Sequence, residues 1–266
     1  MQTFQSDLEQ SITRLKSSRI RTSIAPVGLQ CIMLVIFVGW LLLDPYAEPM
    51  MTIAAGGIRS FQWSESKDLM IAIAGSLRFN AFIVAVIAFL AVNFWMLVQH
   101  VRLRRYALKQ LMITTGLVAL WCASAIGWQQ ITWSGKRMRA AGRLEALDRL
   151  AVSLHEDWPQ SDGEIEGLGP FNAYPWVRPS VLLLLTPYPL EGTNTVIAAI
   201  ERSPQGSLRF QLGGEDGGDW IEWHDGNRIP DSFTGGLRDR HQLQRFSRIG
   251  SDWYLVRYSE AVAQSS

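Results

Sequence analysis

Three long uncharged stretches constrain this chain more than any other feature. They cover residues 22–43, 79–101 and 110–135, and each is long enough for the roughly 20 helical residues that cross a hydrocarbon core. The sequence therefore predicts a membrane protein, with transmembrane helices at about residues 24–43, 79–98 and 111–128. Charge divides along the same line. Residues 1–135 carry 11 Lys and Arg against 6 Asp and Glu, and residues 136–266 carry 14 against 18. No field of one sign covers the chain, which argues against a nucleic-acid partner and leaves the membrane as the first partner.

The flanks of the apolar stretches suggest an orientation. Arg14, Lys16, Arg19 and Arg21 precede the first, whose length exceeds the roughly 7–15 residues of a signal-peptide core. It ends Leu-Leu-Leu-Asp-Pro-Tyr, with no small-residue cleavage site, so an uncleaved anchor is expected. Arg102, Arg104, Arg105 and Lys109 fill the connector between the second and third stretches, and basic flanks tend to stay cytoplasmic. Lys136, Arg137, Arg139 and Arg143 oppose this, but a long hydrophilic domain can be translocated regardless of charge. The expectation is a multi-pass protein of the cell membrane, N-terminus cytoplasmic and C-terminal half extracytoplasmic, with Trp128 and Trp133 as interfacial anchors.

Within the membrane part, small residues let helices approach closely. Thr115, Ala119, Ala123 and Gly127 recur every fourth residue on the third helix, opposite Ala81, Ala85 and Ala88 on the second. Asn93 falls mid-span, where an interhelical hydrogen bond is its expected use. Residues 44–78 read as a mixed loop holding one short amphipathic segment with Met70, Ile73, Ala74 and Leu77.

Residues 136–266 read as a soluble α+β domain. Met138, Ala141, Leu144, Leu147, Ala151 and Leu154 keep helical spacing, which predicts a stalk helix at about 137–156. Six prolines between 159 and 189 then exclude a long helix. Alternating or buried runs at 181–185, 195–201, 207–212, 219–224 and 253–258 read as antiparallel strands, and Asp225-Gly226 as a hairpin turn. Cys31 and Cys122 lie in the apolar stretches and residues 123–266 have no cysteine, so packing alone holds this domain.

Chemistry is sparse. His224, Asp225, Asp239 and His241 offer imidazole and carboxylate ligands, the types that hold zinc, but their spacing reads as polar side chains facing solvent, and neither a cofactor nor a metal is expected. His155 reads as a helix-end cation. The run Gly213-Gly214-Glu215-Asp216-Gly217-Gly218 lacks the Lys and following helix of a phosphate loop, and calcium at Glu215, Asp216 and Asp219 is its remaining use. No Gly-x-Ser-x-Gly elbow occurs. Trp158, Tyr174, Trp176, Trp220, Trp223, Trp253 and Tyr254 are many aromatics for one small domain. Trp220 and Trp223 differ by three, so a strand points them to opposite faces, which makes them partner-binding candidates. The expected function is non-enzymatic: an extracytoplasmic domain that binds another membrane or envelope protein or a second copy. An envelope hydrolase or metal-dependent enzyme using His224, Asp225 or His241 is the alternative, and a transporter subunit a weaker one.

Overall fold

The computed structural model describes residues 27–60, 63–102, 108–190, 195–214, 217–226 and 228–260. The basic residues Arg14, Lys16, Arg19, Arg21, Arg104 and Arg105, and the acidic pair Glu215 and Asp216, lie outside these. Contacts divide the chain into two compact units, one ending at Thr132 and the other beginning at Trp133.

The first unit is helical: α1 (Val27–Leu43), α2 (Ala47–Ser60), α3 (Trp63–Ala74), α4 (Ser76–Arg102), α5 (Leu108–Ile126) and the first turn of α6 (Trp128–Ala141). Among the described residues one helix, over Ser76–Met96, is long and apolar enough by itself to cross a membrane, and almost none of it is buried. Two further spans arise only if each of two bent pairs, α1 with α2 and α5 with α6, counts as one crossing. The three separate spans expected from the sequence are thus one span, or up to three. The first pair turns by 111° because Pro45 has no N–H to continue the helix and Asp44 takes over. Its carboxylate accepts Trp40 Nε1 at 3.1 Å and the Tyr46 N–H at 2.9 Å. The region read as a mixed loop is two helices, α2 and α3.

Helix packing in this unit differs from the expected small-residue stripe. Thr115, Ala119 and Ala123 are exposed, and Gly127 stands at the break between α5 and α6, where a Cβ would meet the Ala123 carbonyl at 2.9 Å. Contact runs instead through Trp121, whose ring lies 4.5 Å from Phe89 and 5.5 Å from Phe37. The area of three aromatic rings outweighs close backbone approach at this crossing. Asn93 donates to the Phe89 carbonyl of its own helix at 2.7 Å, so its amide serves α4 rather than a neighbour.

The second unit is a nine-stranded antiparallel sheet with helices on one face. The strands are β1 (Gly163–Ile165), β2 (Gly169–Tyr174), β3 (Val181–Pro189), β4 (Thr195–Arg202), β5 (Leu208–Gly214), β6 (Asp219–Trp223), β7 (Phe233–Thr234), β8 (Arg240–Arg248) and β9 (Trp253–Glu260). Their order is β1-β2-β3-β4-β5-β6-β9-β8-β7. The five expected strands are present, joined by β1, β2, β7 and β8. Asp225-Gly226 does not close a tight hairpin: β6 pairs with β5 and β9, and the chain after Gly226 travels to the far edge before forming β7.

The stalk is two helices rather than one. α6 stops at Ala141, and α7 (Leu144–Glu156) starts after Gly142 and Arg143. Leu147, Ala151 and Leu154 form the buried stripe of α7, packed with Ile200, Phe210, Ile221, Trp253 and Leu255 of the sheet in the main core. Burying each large side chain contributes about 1.5–3 kcal/mol, so this stripe is ample reason for α7 to lie on the sheet. Asp148 accepts Trp253 Nε1 at 3.1 Å and fixes the contact. Trp133 is no interfacial anchor. It is 2% exposed in the same core and donates to Ser247 Oγ at 2.8 Å. Three residues on, Lys136 reaches the Asp219 carboxylate at 2.5 Å, where Arg257 binds through Nε at 2.6 Å and Nη2 at 2.8 Å. Asp219 is therefore an anchor for α6, its carboxylate taken by two cations rather than offered to calcium, and the other residues of the expected calcium loop, Glu215 and Asp216, lie outside the described residues.

Candidate functional site

Strand alternation sends Ile221 and Trp223 to the helix-covered face and Trp220 and Glu222 to the other. That second face is also covered. Trp220 is buried with Tyr254, Val256 and Tyr258, and Phe233 and Leu243 pack on them. Trp223 is half-buried against the main core, with the His155 ring 4.9 Å away. The pair do occupy opposite faces, but neither ring protrudes, so Trp220 and Trp223 do not form an exposed binding surface. His155 lies in the last turn of α7, as expected, and packs its ring on that tryptophan.

The interior of the second face is polar. In register across the sheet, Glu201 of β4 stands beside Arg209 of β5, and Arg209 beside Glu222 of β6. Glu222 is fully buried and draws three groups to its carboxylate: Tyr258 Oη at 2.5 Å, His224 Nε2 at 2.7 Å and Arg209 Nε at 3.3 Å. His224 Nδ1 lies 3.2 Å from Ser207 Oγ. Arg209 also reaches Asp231 at 3.3 Å, and its guanidinium stacks 3.7 Å over the Phe233 ring. Burial, reinforced by the Glu222 charge, pushes the Tyr258 hydroxyl well above the usual tyrosine range, so it stays a donor. This network corrects the surface reading of His224, which is buried and partnered. Asp225, its neighbour in sequence, is exposed at the following turn and takes no part.

A second group lies at the end of the same row. Glu201, Asp239 and His241 each offer a ligand atom within 4.8 Å of the others, although β5, β6 and β9 separate β4 from β8 in the sheet order. The sheet curls to bring them together, and the turn between β7 and β8 closes the gap. Glu201 and His241 are buried and Asp239 is 43% exposed. His241 Nε2 is 2.6 Å from Asp239 Oδ2, yet the approach lacks hydrogen-bond geometry and leaves that buried nitrogen without a hydrogen-bond partner. Burial first, then the Asp239 charge, push the Glu201 carboxyl up to about 7, against the lowering pull of Arg209. Gly235 leaves the room this needs, since a Cβ there would fall 2.5 Å from Asp239 Oδ1 and 3.1 Å from Glu201 Oε1.

Sequence spacing identified His224, Asp239 and His241 but could not join them correctly. Glu201 and Glu222 escaped notice because each stands alone in a strand read as structural. The available signal was a lone carboxylate on an otherwise apolar β-run, Ile-Ala-Ala-Ile-Glu for Glu201 and Trp-Ile-Glu-Trp for Glu222, where a charge is costly unless paired. No protein family, curated protein or solved structure matches the chain, so geometry alone carries the functional argument.

Proposed function

We propose that the chain is a membrane-anchored binding protein whose C-terminal sheet domain docks on another envelope protein or a second copy of itself. In this reading α1, α4 and α5 are three crossings, the N-terminus is cytoplasmic and the domain from Trp133 is extracytoplasmic. The observation that carries the binding role is the loop between β2 and β3. Trp176 is 82% and Val177 90% exposed, at the tip of a loop whose base is tied by the Ser180 N–H to the Tyr174 carbonyl at 2.9 Å. Tryptophan on a fixed support is the residue type that dominates partner affinity, and this domain covers its other tryptophans on both faces of the sheet. The bilayer part is supported by the large apolar side chains that α4 leaves uncovered, Leu77, Val84, Ile87, Leu90 and Phe94 among them.

Two measurements test this reading. A Trp176→Cys variant in a Cys31→Ser, Cys122→Ser background should react with an impermeant maleimide in intact spheroplasts; labelling only after lysis would reverse the orientation. Trp176→Ala with Val177→Ser should abolish co-purification of a partner or of a differently tagged second copy after gentle detergent extraction. Unchanged complexes would remove the loop from the argument. A metal-dependent role is the second reading, favoured by the meeting of Glu201, Asp239 and His241 rather than by His224 and Asp225.

A further inference from the structure

The geometry points to a binding site for a divalent first-row transition ion of zinc type, with Glu201, Asp239 and His241 as its protein ligands. Two carboxylates close together would not suffice, since acidic pairs are common on protein surfaces. The independent observation is the imidazole. His241 is 6% exposed, its Nε2 faces Asp239 Oδ2 at 2.6 Å without hydrogen-bond geometry, and a ring nitrogen of His241 lies within 4.8 Å of carboxylate oxygens of both Glu201 and Asp239. Coordination would give this buried nitrogen, now in a misdirected ion-pair contact, a well-aimed partner.

The donor set selects the ion class. One imidazole nitrogen with two carboxylate oxygens, and no thiolate, suits zinc and its first-row neighbours. Three protein ligands leave one tetrahedral position free, and the exposure of Asp239 lets water reach it. His241 also lines, with Phe233 and Thr234, an open hollow of about 410 Å³ beside this group. Coordination bonds of about 2.0–2.1 Å hold tetrahedral ligand atoms roughly 3.3 Å apart. The 2.6 Å separation of His241 and Asp239 must therefore widen by less than an ångström, a movement that half-exposed Asp239 can make.

Charge favours the same conclusion. Glu201, Glu222, Asp231 and Asp239 face this interior or its rim, and Arg209 already serves Glu222 and Asp231. Arg238 and Arg240 flank Asp239 in sequence but are exposed, where water and salt screen them. A dication between Glu201 and Asp239 would offset the carboxylate excess that Arg209 leaves.

The test uses the full chain in mild detergent, stripped with chelator and then titrated with Zn²⁺ and with Co²⁺. One ion per chain, a rise in Tm with Zn²⁺ and a visible Co²⁺ band of low coordination number are expected. Glu201→Gln and His241→Asn, both close in size to the parent residues, should each weaken Zn²⁺ binding at least tenfold, and Asp225→Asn should not. Parent-like affinity in the two ligand variants, or no binding by the parent chain, would overturn the assignment. Should either variant lose its circular dichroism signature, pulsed EPR of the Cu²⁺-loaded parent decides. Coupling to one imidazole supports the site, and coupling to none or to several refutes it.

Discussion

Replacing Asp219 by Asn separates an electrostatic anchor from mere proximity. The carboxylate is 1% exposed and is bound by Lys136, itself 7% exposed, and by both ends of the Arg257 guanidinium edge. Asp219→Asn removes the charge but keeps the volume, leaving an ammonium and a guanidinium side by side with an amide oxygen. Breaking a buried pair from one side costs about 3–5 kcal/mol, and Arg257, 27% exposed, recovers part of that in water. A loss of about 3 kcal/mol is therefore expected. Lys136→Met keeps the aliphatic stem and leaves Asp219 in a bidentate pair with Arg257 that is neutral overall, so roughly 1–2 kcal/mol is expected. The double variant should be no less stable than Asp219→Asn alone, because it removes the stranded ammonium. Urea titration of the full chain in detergent, followed by near-ultraviolet circular dichroism, measures all three. Equal losses for Asp219→Asn and Lys136→Met, or additive losses in the double variant, would refute the claim that the carboxylate is the hub.

Where the second unit begins is testable by truncation. A fragment starting at Trp128 should be soluble and melt cooperatively, and one starting at Arg137, which lacks Trp133 and Lys136, should melt at a clearly lower temperature or aggregate. Glu201 should make stability fall with pH. The folded state holds the proton up to about 7 and the unfolded state releases it near 4.5, so stability declines through that window by at most roughly 3 kcal/mol. With chelator present, Glu201→Gln should match the parent near pH 4.5 and exceed it at pH 8; a gain independent of pH in urea titrations would contradict the burial argument. In the helical unit, Trp121→Ala should lower the thermal midpoint in detergent by several degrees, whereas Ala119→Leu with Ala123→Leu should leave it nearly unchanged.

The division of the chain was legible because apolar length and proline content are local properties. The five strands read from sequence are the ones with dense apolar or alternating runs, central in the sheet and covered by α7. β8 was not readable, since Arg-His-Gln-Leu-Gln-Arg-Phe-Ser-Arg resembles a solvated loop, and only the pairing with β9 shows it as a strand near an edge. β2 was hidden by Pro170, Pro175 and Gly169, residues that ordinarily end strands. The single stalk helix failed at Gly142 because helical periodicity survives a short break: Met138, Leu144 and Leu147 keep their spacing across it, while the backbone does not. The small-residue stripe on α5 failed for a different reason. Spacing identifies a face capable of close approach but not whether a partner lies there, and Trp121 had no periodic signature at all.

The site was the least legible part because its geometry depends on sheet curvature. Asp239 and His241 differ by two, a spacing that turns side chains of extended chain to one side, and this much was available from sequence. Their meeting with Glu201, some forty residues earlier, requires that β7 and β8 follow β9 in reverse order at the edge and that the sheet bend until the turn at Gly235 reaches β4. Neither requirement leaves a mark in any window of ten residues. What sequence does retain is the energetic anomaly: a Glu inside an apolar strand must be either paired or protonated. In this domain the two solutions stand side by side on the same face. Glu222 is paired with Arg209, His224 and Tyr258. Glu201 shares Arg209 from the other side and meets Asp239 instead of a second cation, so its charge is the one that the fold leaves open to a proton or a metal ion.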